Sequence, residues 1–397
     1  MPASPTPPIR TITLGIAEPH PLPAVVLKNA KNVLEYARAR YVEAGFEVQT
    51  VRLSTRPLFD DLAEMQPAAF IGYAKELQHV LDDLGIEYCS VGTAQAARPD
   101  FPLNRLQWLV DVLASHSSLS ATVQIATQEY GLRNEAARPT ALIIERLSQE
   151  TEGGIGNFRF AMLACVPPGC PFFPAAYHAG PTSLTLGLQS ASVVMEALYV
   201  HASEIAESLD LRNVTRWVHD TLMAHIVPIV ELAQRIAHEK QIQFGGIDLS
   251  PAPMGEDSIV PALEMCGGGP LGGFGTLAAV AAVTSALKSI TLPTCGYCGV
   301  MLPVLEDAML GRRWEEGRVN VHQLLLYSSV CGMGLDTIPL AGTTSAEGIA
   351  RLLLDVATLA LRLRKPLSAR LFPVPGKKAG ERTQFVSPHL TNTVLQS

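Results

Sequence analysis

Charge and aromatic side chains are both scarce in this chain. Only 17% of its 397 residues are Asp, Glu, Lys or Arg and 6% are Phe, Trp or Tyr, against 48% hydrophobic residues. So little charge excludes a solvated, disordered chain and predicts a large interior, part of it covered by other copies, so a homo-oligomer is expected. Cations are in deficit: 30 Lys and Arg against 37 Asp and Glu leave a formal net charge of −7. A nucleic-acid or anionic-membrane surface needs clustered Lys and Arg, and neither partner is expected. Long apolar runs are missing as well. The longest uncharged apolar stretch, Leu277 to Leu287, is far too short to span a bilayer, and no apolar signal core precedes Ile12. A cytoplasmic location follows as the expectation. The seven cysteines are an odd, scattered set (Cys89, Cys165, Cys170, Cys266, Cys295, Cys298, Cys331), so a disulfide framework is not expected. There is no internal repeat and no low-complexity linker to mark a domain boundary.

What is present is alternation. An apolar strand over Thr11 to Ile16 is followed by a helical period from about Pro23 to Ala44, with Val26, Leu27, Ala30, Val33, Leu34 and Ala37 on one face. The pattern recurs with strands at Val48 to Leu53, Glu87 to Val91 and Leu119 to Ala126, and helices at Phe70 to Leu84 and Asn104 to Ala114. Alternating elements imply helices layered on a sheet, an α/β protein. Farther on come a strand at Phe160 to Val166, helices at Ser190 to Ala206 and Arg212 to Lys240 (with Pro228 as an expected kink), a strand at Ile242 to Ile247, and helices at Thr276 to Lys288, Val321 to Val330 and Ser345 to Lys365. Glycine and proline cluster at Gly267 to Gly275, Pro293 to Gly299, Gly332 to Gly342 and Pro373 to Gly380, all expected as turns. The first ten or so residues, rich in Pro and Ser, are expected to fray.

Three strings are long enough to be specific: GGIGNFRFAMLACVPPGCPFFPAAYH (Gly153 to His178), SSVCGMGLDTIPLAGTTS (Ser328 to Ser345) and KPLSARLFPVPGKKAG (Lys365 to Gly380). With RTITLGI at Arg10 to Ile16 they resemble domain-of-unknown-function family 711 over nearly the whole chain. The resemblance implies a ten-stranded α/β barrel like that of the pyruvate formate-lyase-like glycyl radical enzymes, and hence one large domain over residues 1–397. It also implies an ACT-domain protein as a possible partner, and with it amino-acid or related carboxylate metabolism. Fold does not carry function. Glycyl radical enzymes need a C-terminal loop of the Arg-Val-x-Gly-Tyr kind, and the tail LFPVPGKKAGERTQFVSPHL contains nothing like it, so no glycyl radical is expected. The chain departs from the family pattern at Ala341-Gly342-Thr343, where a carboxylate is lost, at CGYCG near Cys295, and at PMGEDSIV, where the acids change order. These departures point to a substrate of its own.

The candidate site residues lie in these strings. Cys331, where a helix ends in a glycine turn, is read as nucleophile or thiol acid, against its reading as a small buried apolar residue. Asp336, Thr337 and Thr343 put a carboxylate and hydroxyls in one turn, able to meet a hydroxylated substrate or a divalent metal; helix capping is the alternative for such residues. Arg370, Lys377 and Lys378 offer cations to a carboxylate or phosphate, and strand-borne Arg370 must find an acceptor if it points inward. Asn157, Arg159, Tyr177 and His178 flank the Pro-rich stretch in which Phe172 and Phe173 can wall a pocket, with His178 as candidate acid or base. Cys295 and Cys298 form a C-x-x-C pair, read as a redox or metal alternative. Glu256 and Asp257 are lower-ranked carboxylates. The P-loop and dinucleotide patterns are absent, so no nucleotide cofactor is expected. The expected function is a non-radical enzyme of a small amino-acid-like or carboxylate metabolite, of reaction type open among lyase, isomerase, transferase and hydrolase. Two rivals stand beside it: a non-catalytic ligand sensor working with an ACT-domain partner, and thiol-dependent sulfur or electron transfer through Cys295 and Cys298.

Overall fold

The expected alternation folds as one twisted sheet with helices against it. A computed structural model describes residues 6–207 and 210–396. Its ten strands are β1 (Ile9–Gly15), β2 (Val48–Ser54), β3 (Cys89–Ala94), β4 (Leu119–Thr127), β5 (Gly131–Leu132), β6 (Phe160–Ala164), β7 (Ser183–Leu188), β8 (Gln243–Asp248), β9 (Gly334–Ala341) and β10 (Leu367–Val374). They run in the order β8-β7-β1-β2-β3-β4-β6-β10-β9, with β5 paired to β4. From β1 to β6 that path is parallel; β7 and β10 join it antiparallel and bring β8 and β9 as parallel partners.

The two edge strands are linked by a crossing segment. Ile247 on β8 bridges Thr294, and Asp336 on β9 bridges Pro303, so the chain from Thr294 to Pro303 runs from one edge toward the other. It passes the turn before β9 with backbone against backbone. The Gly332 N–H donates to the Val300 carbonyl at 3.1 Å, and a Cβ on Gly332 would stand 2.6 Å from the Gly299 Cα. No side chain fits either position, which explains the glycines of CGYCG and VCGMG.

The sheet's outer face is apolar and carries the helices. Ala24–Glu43 buries Leu27, Ala30, Leu34, Ala37 and Tyr41, and Tyr41 donates its hydroxyl to the Ile229 carbonyl on a second helix at 2.8 Å. Ala346–Leu363 buries Ile349, Leu353, Val356 and Ala360 and begins on Ser345, whose Oγ accepts from the Gly348 N–H at 3.2 Å. Each Leu or Ile so covered contributes roughly 1.5–3 kcal/mol.

The inner face is lined by Thr, Ser and Gln, and the Pro-rich stretch lies across it. Thr13 donates to the Pro171 carbonyl at 2.9 Å, Ser90 to the Ala176 carbonyl at 2.5 Å, and the Val166 N–H to Gln124 Oε1 at 3.0 Å. The His178 N–H donates to the Thr55 carbonyl at 2.9 Å. A proline-rich segment cannot pair as a strand, so strand hydroxyls satisfy its carbonyls while the Gln124 amide oxygen and the Thr55 carbonyl accept from its N–H groups. This is why alternate strand positions are polar yet buried.

Several elements differ from expectation. Within Gly332 to Gly342, expected as a turn, Gly334–Ala341 form strand β9. Strand β7 was not expected, although SLTLGL alternates as a strand should. The helix expected over Ser190 to Ala206 is interrupted between Tyr199 and Ala202, where His201 stacks on Trp217 at 4.0 Å. Leu211–Glu239 is one helix that contains Pro228. Of the ten residues expected to fray, the first five lie outside the described residues. Pro7 is buried, the Pro8 carbonyl accepts from the Gln189 N–H at 3.0 Å, and Ile9 opens β1. Among the described residues no helix is long and apolar enough to cross a membrane.

Gly15 ends β1 with no room for a side chain, since a Cβ there would stand 2.1 Å from His178 Nδ1. The Gly15→Ala variant is expected to lose about 2–4 kcal/mol in a denaturant melt. Combined with His178→Ala, the two losses should be less than additive, because the second change removes the obstacle.

Candidate functional site

A cavity of about 380 Å³ opens on the sheet's inner side. It lies at the N-terminal ends of the parallel strands: Arg10 of β1, Gln49, Thr50 and Arg52 of β2, Tyr88 just before β3, Ser118 and Ser120 at β4, and Phe158 and Arg159 before β6 line it. The Pro-rich stretch forms a wall with Phe172, Phe173 and Pro174. The opposite side is built by Met301, Pro303, Glu306, Met333, Asp336, Arg370 and His389.

Arg370 stands in the middle of β10, where it is buried. Opposite it the pairing slips: Ala369 pairs Leu335 and Leu371 pairs Ile338, so Asp336 and Thr337 face the single residue Arg370. This is a β-bulge, and Thr337 takes the left-handed backbone it requires (φ +46). The bulge turns Asp336 toward the guanidinium. Arg370 Nε donates to Asp336 Oδ1 at 2.6 Å and Nη2 to Oδ2 at 3.0 Å, a two-pronged pair, while Nη2 also donates to Glu306 Oε1. Glu306 is brought there by the crossing segment beside the bulge: the Val304 N–H donates to the Asp336 carbonyl at 3.2 Å and the Leu305 N–H to Thr337 Oγ1 at 3.3 Å. Burial pushes the Glu306 carboxyl above the ordinary range, and Arg370 opposes that shift. For Arg370 burial works against the cation, yet Asp336 and Glu306 more than offset it and hold the guanidinium firmly charged.

The second arginine, Arg10, lies 3.5 Å from Glu306 Oε2 and donates to Gln49 Oε1 at 3.3 Å. The third, Arg52, is differently placed. Its Nε donates to Thr50 Oγ1 at 3.0 Å, and its guanidinium lies 5.2 Å from the Tyr88 ring centre and 5.1 Å from that of Phe173. Among the described residues no carboxylate is within 4 Å of it, and neither Nη group makes a hydrogen bond. Burial, then the positive charges of Arg10 and Arg370, pull its pKa down to about 9, with Tyr88 and Glu306 opposing. It is still a cation at neutral pH. Ser120 Oγ also lines the cavity, 3% exposed and without a partner.

His389, from the C-terminal tail, completes the wall. Its ring stacks on Phe158 at 6.0 Å with 7° between planes, and Phe158 in turn lies 5.0 Å under the Arg370 guanidinium. Burial lowers the imidazole pKa, and Arg10 and Arg52 push the same way, so the ring is neutral at pH 7.

Of the residues singled out in the sequence, Arg370, Asp336 and Arg159 line this cavity, as do the wall residues Phe172 and Phe173, and the other candidates do not. Arg159 spends its guanidinium on the carbonyls of Leu113 at 2.7 Å, of Leu119 at 3.0 Å and of His116. Arg370, expected as a free anion anchor, is already saturated by two carboxylates. Cys331 is only 1% exposed and outside the cavity; its carbonyl accepts from Lys365 Nζ. The thiol and the Arg370 guanidinium therefore do not share a ligand. His178 is at the other end of β1, against Gly15 five residues from Arg10, with Nε2 between the carbonyls of Gly180 (3.1 Å) and Pro181 (3.0 Å). Its role there is packing. Asn157 Nδ2 donates to the Ile144 carbonyl at 3.1 Å and Tyr177 to the Val166 carbonyl at 2.9 Å, both inside the core. Thr337 serves the bulge, and Thr343 and Lys378 are exposed in turns. Lys377 Nζ donates to Gln384 at 3.2 Å. Glu256 pairs with Arg312 at 3.2 Å, and Asp257 accepts from Gln189 at 2.7 Å.

Cys295 and Cys298 lie on the crossing segment as free thiols, with the Cys298 Sγ 3.3 Å from the Cys295 carbonyl. Asp248 organises their turn, accepting from the Tyr297 N–H at 2.7 Å and the Cys298 N–H at 3.0 Å. Burial pushes the Cys298 thiol up to about 12, and the nearby Asp248 charge adds to it; Cys295 is raised by the same two causes. A thiol so protonated is a poor nucleophile. Among the described residues no three His, Cys, Asp or Glu side chains converge as a metal site would require.

The residues that sequence reasoning missed are Arg10, Arg52, Ser120, Glu306 and His389. The signal for the first two was available: each is an arginine inside an otherwise apolar or hydroxyl-bearing strand, IRTITLG and VQTVRLS. Glu306 and His389 gave no such sign.

Fold and cavity together define an α/β protein with a ten-stranded sheet and an arginine-lined cavity on its inner side. The chain belongs to the family described as "Uncharacterised ACR (DUF711)", whose profile matches residues 2–389. It is similar to a UPF0210 protein of Pyrobaculum aerophilum (30% identical, covering 89% of this chain and 79% of that one) and to one of a Thermoanaerobacter species (28% identical, 95% and 88%). Among solved structures it is similar to an anaerobic ribonucleotide reductase at a TM-score of 0.40 and 10% identity, over 97% of this chain and 76% of that one. At that score the likeness bears on neither site nor chemistry.

Two outcomes test this arrangement. Asp336→Ala, which strands Arg370 beside a single remaining acid, is expected to cost about 3–5 kcal/mol in a denaturant melt. In the folded protein at pH 8, Cys295 and Cys298 are expected to resist iodoacetamide, and peptide mapping should find them alkylated only after unfolding.

Proposed function

We propose that this protein is a non-radical enzyme acting on a small carboxylate held in the cavity by Arg52, with His389 as its acid–base group. The reading is carried by one observation: Arg52 is a cation facing an enclosed cavity with no carboxylate to neutralise it. Burying an unpaired charge is costly, and a fold that keeps one does so where an anion will pair with it. His389 is the neutral imidazole on the same cavity, placed to take a proton from a bound molecule and return it. The thiols have no part in this reading, since the C-x-x-C pair is protonated and Cys331 lies outside the cavity.

Arg52→Met is expected to abolish carboxylate binding, read by calorimetry, while leaving the thermal midpoint unchanged or raised, because an uncompensated charge is removed. His389→Ala should spare binding and abolish turnover of the same ligand. Activity of the parent should rise with pH along an acid limb whose midpoint lies below the ordinary histidine value of 6.5. Binding that survives Arg52→Met sinks the assignment of the anchor. Turnover that survives His389→Ala, or no turnover of any bound carboxylate, favours a ligand sensor instead.

A further inference from the structure

Granted that Arg52 anchors a carboxylate, the remaining groups around the cavity restrict which one. Four guanidiniums line the cavity; Arg159 is turned onto the carbonyls of Leu113, Leu119 and His116, and the other three, Arg10, Arg52 and Arg370, face two carboxylates, Glu306 and Asp336. One positive charge is left over, and it sits on Arg52. A ligand with one negative charge closes the balance; one with two leaves an unpaired anion in a buried site.

The carboxylates cannot serve a ligand cation. Both Asp336 oxygens accept from Arg370, Glu306 Oε1 accepts from Arg370, and Glu306 Oε2 faces Arg10 at 3.5 Å. The other lining carboxylate, Glu47, is exposed and five residues back along the chain from Arg52. At about 3.3 Å per strand residue that is roughly 16 Å away. The α-ammonium of an amino acid, one carbon from its carboxylate, would rest beside Arg52 with like charge next to like and no free carboxylate to pair with it.

Arg52 is also set in orientation. With Nε used by Thr50 and rings of Tyr88 and Phe173 alongside, its two Nη groups remain, a fork that matches one carboxylate. Beyond it the walls are apolar: Phe172, Pro174, Met254, Met301 and Met333. Uncharged polar residues also line the space, Gln49, Thr50, Tyr88, Ser117, Ser118 and Ser120, and of these Ser120 has its Oγ buried without a partner. Ser120 is in register with Ser90, and Ser90 with Ser54, which puts it two strands across the sheet from β2, about 10 Å.

We propose that the ligand is a monocarboxylate with an apolar body and no ammonium group: neither an α-amino acid nor a dicarboxylate, with any second polar substituent uncharged and directed at Ser120. This narrows the proposed function and rests on it.

Three probes that share a phenyl body and differ in charge test it by calorimetry on the full chain: 3-phenylpropanoate, phenylalanine and phenylsuccinate. The first is expected to bind at least about tenfold tighter than either of the others, and Arg52→Met to remove its binding. Arg52→Lys, which keeps the charge and loses the fork, is expected to bind it more weakly than the parent, so the result does not depend on one variant. If phenylalanine or phenylsuccinate binds as tightly as 3-phenylpropanoate, and through Arg52, the ligand class is overturned while the anchor stands. If none of the three binds the parent protein, the anchor and the ligand class fall together.

Discussion

The two-pronged pair between Arg370 and Asp336, closed by Glu306, is the interaction on which the cavity depends. It joins β10, β9 and the crossing segment at a buried point, and each partner is tolerated there only because the others are present. A single acid lost from this cluster leaves a guanidinium with too little to hold it. The same saturation decides the chemistry next door. Because Arg370 has consumed both carboxylates, and Arg10 leans on one of them, Arg52 is left without an acid, and unlike Arg159 it has no cluster of carbonyls in its place.

The bulge at Asp336 and Thr337 is a local departure with a definite purpose. Regular pairing would set every second residue of β9 on one face, and Asp336 could not meet Arg370 squarely. One additional residue redirects the carboxylate, and the Thr337 hydroxyl then holds the Leu305 N–H, which fixes the segment bearing Glu306. Thus a strained backbone position and a buried hydroxyl, neither touching the cavity, set the geometry of the charges that do. The glycine contact between Gly299 and Gly332 acts in the same way at longer range, letting the crossing segment lie close enough for its acid to arrive.

The Pro-rich stretch has a related part. Lying across the inner face of the sheet, it accepts hydrogen bonds from strand-borne Thr and Ser, donates to Gln, and turns a would-be polar interior into a packed floor. Its phenylalanines then present rings to the ligand space and to Arg52. The result is a half-and-half chamber: hydrocarbon and ring faces over most of its wall, a short charged seam along one side.

Much of the architecture is legible in the amino-acid order alone. The alternation of strand and helix from Thr11 to Ala126, the apolar faces of Ala24–Glu43 and Ala346–Leu363, and the family strings around Pro167, Leu335 and Arg370 depend on local periodicity and on residues close in sequence, which a linear reading can weigh. The choice of site residues did not survive so well, for a physical reason. Whether Cys331, His178 or Arg370 is free to act depends on what lies beside it in space, and those neighbours come from far along the chain: Glu306 to Arg370, Gly15 to His178, His389 to Phe158. Arg52 shows the point most directly, since its sequence tells only that a charge sits in a strand. That it has no carboxylate within 4 Å is a property of the folded chain's whole charge arrangement, which tertiary contacts alone could decide.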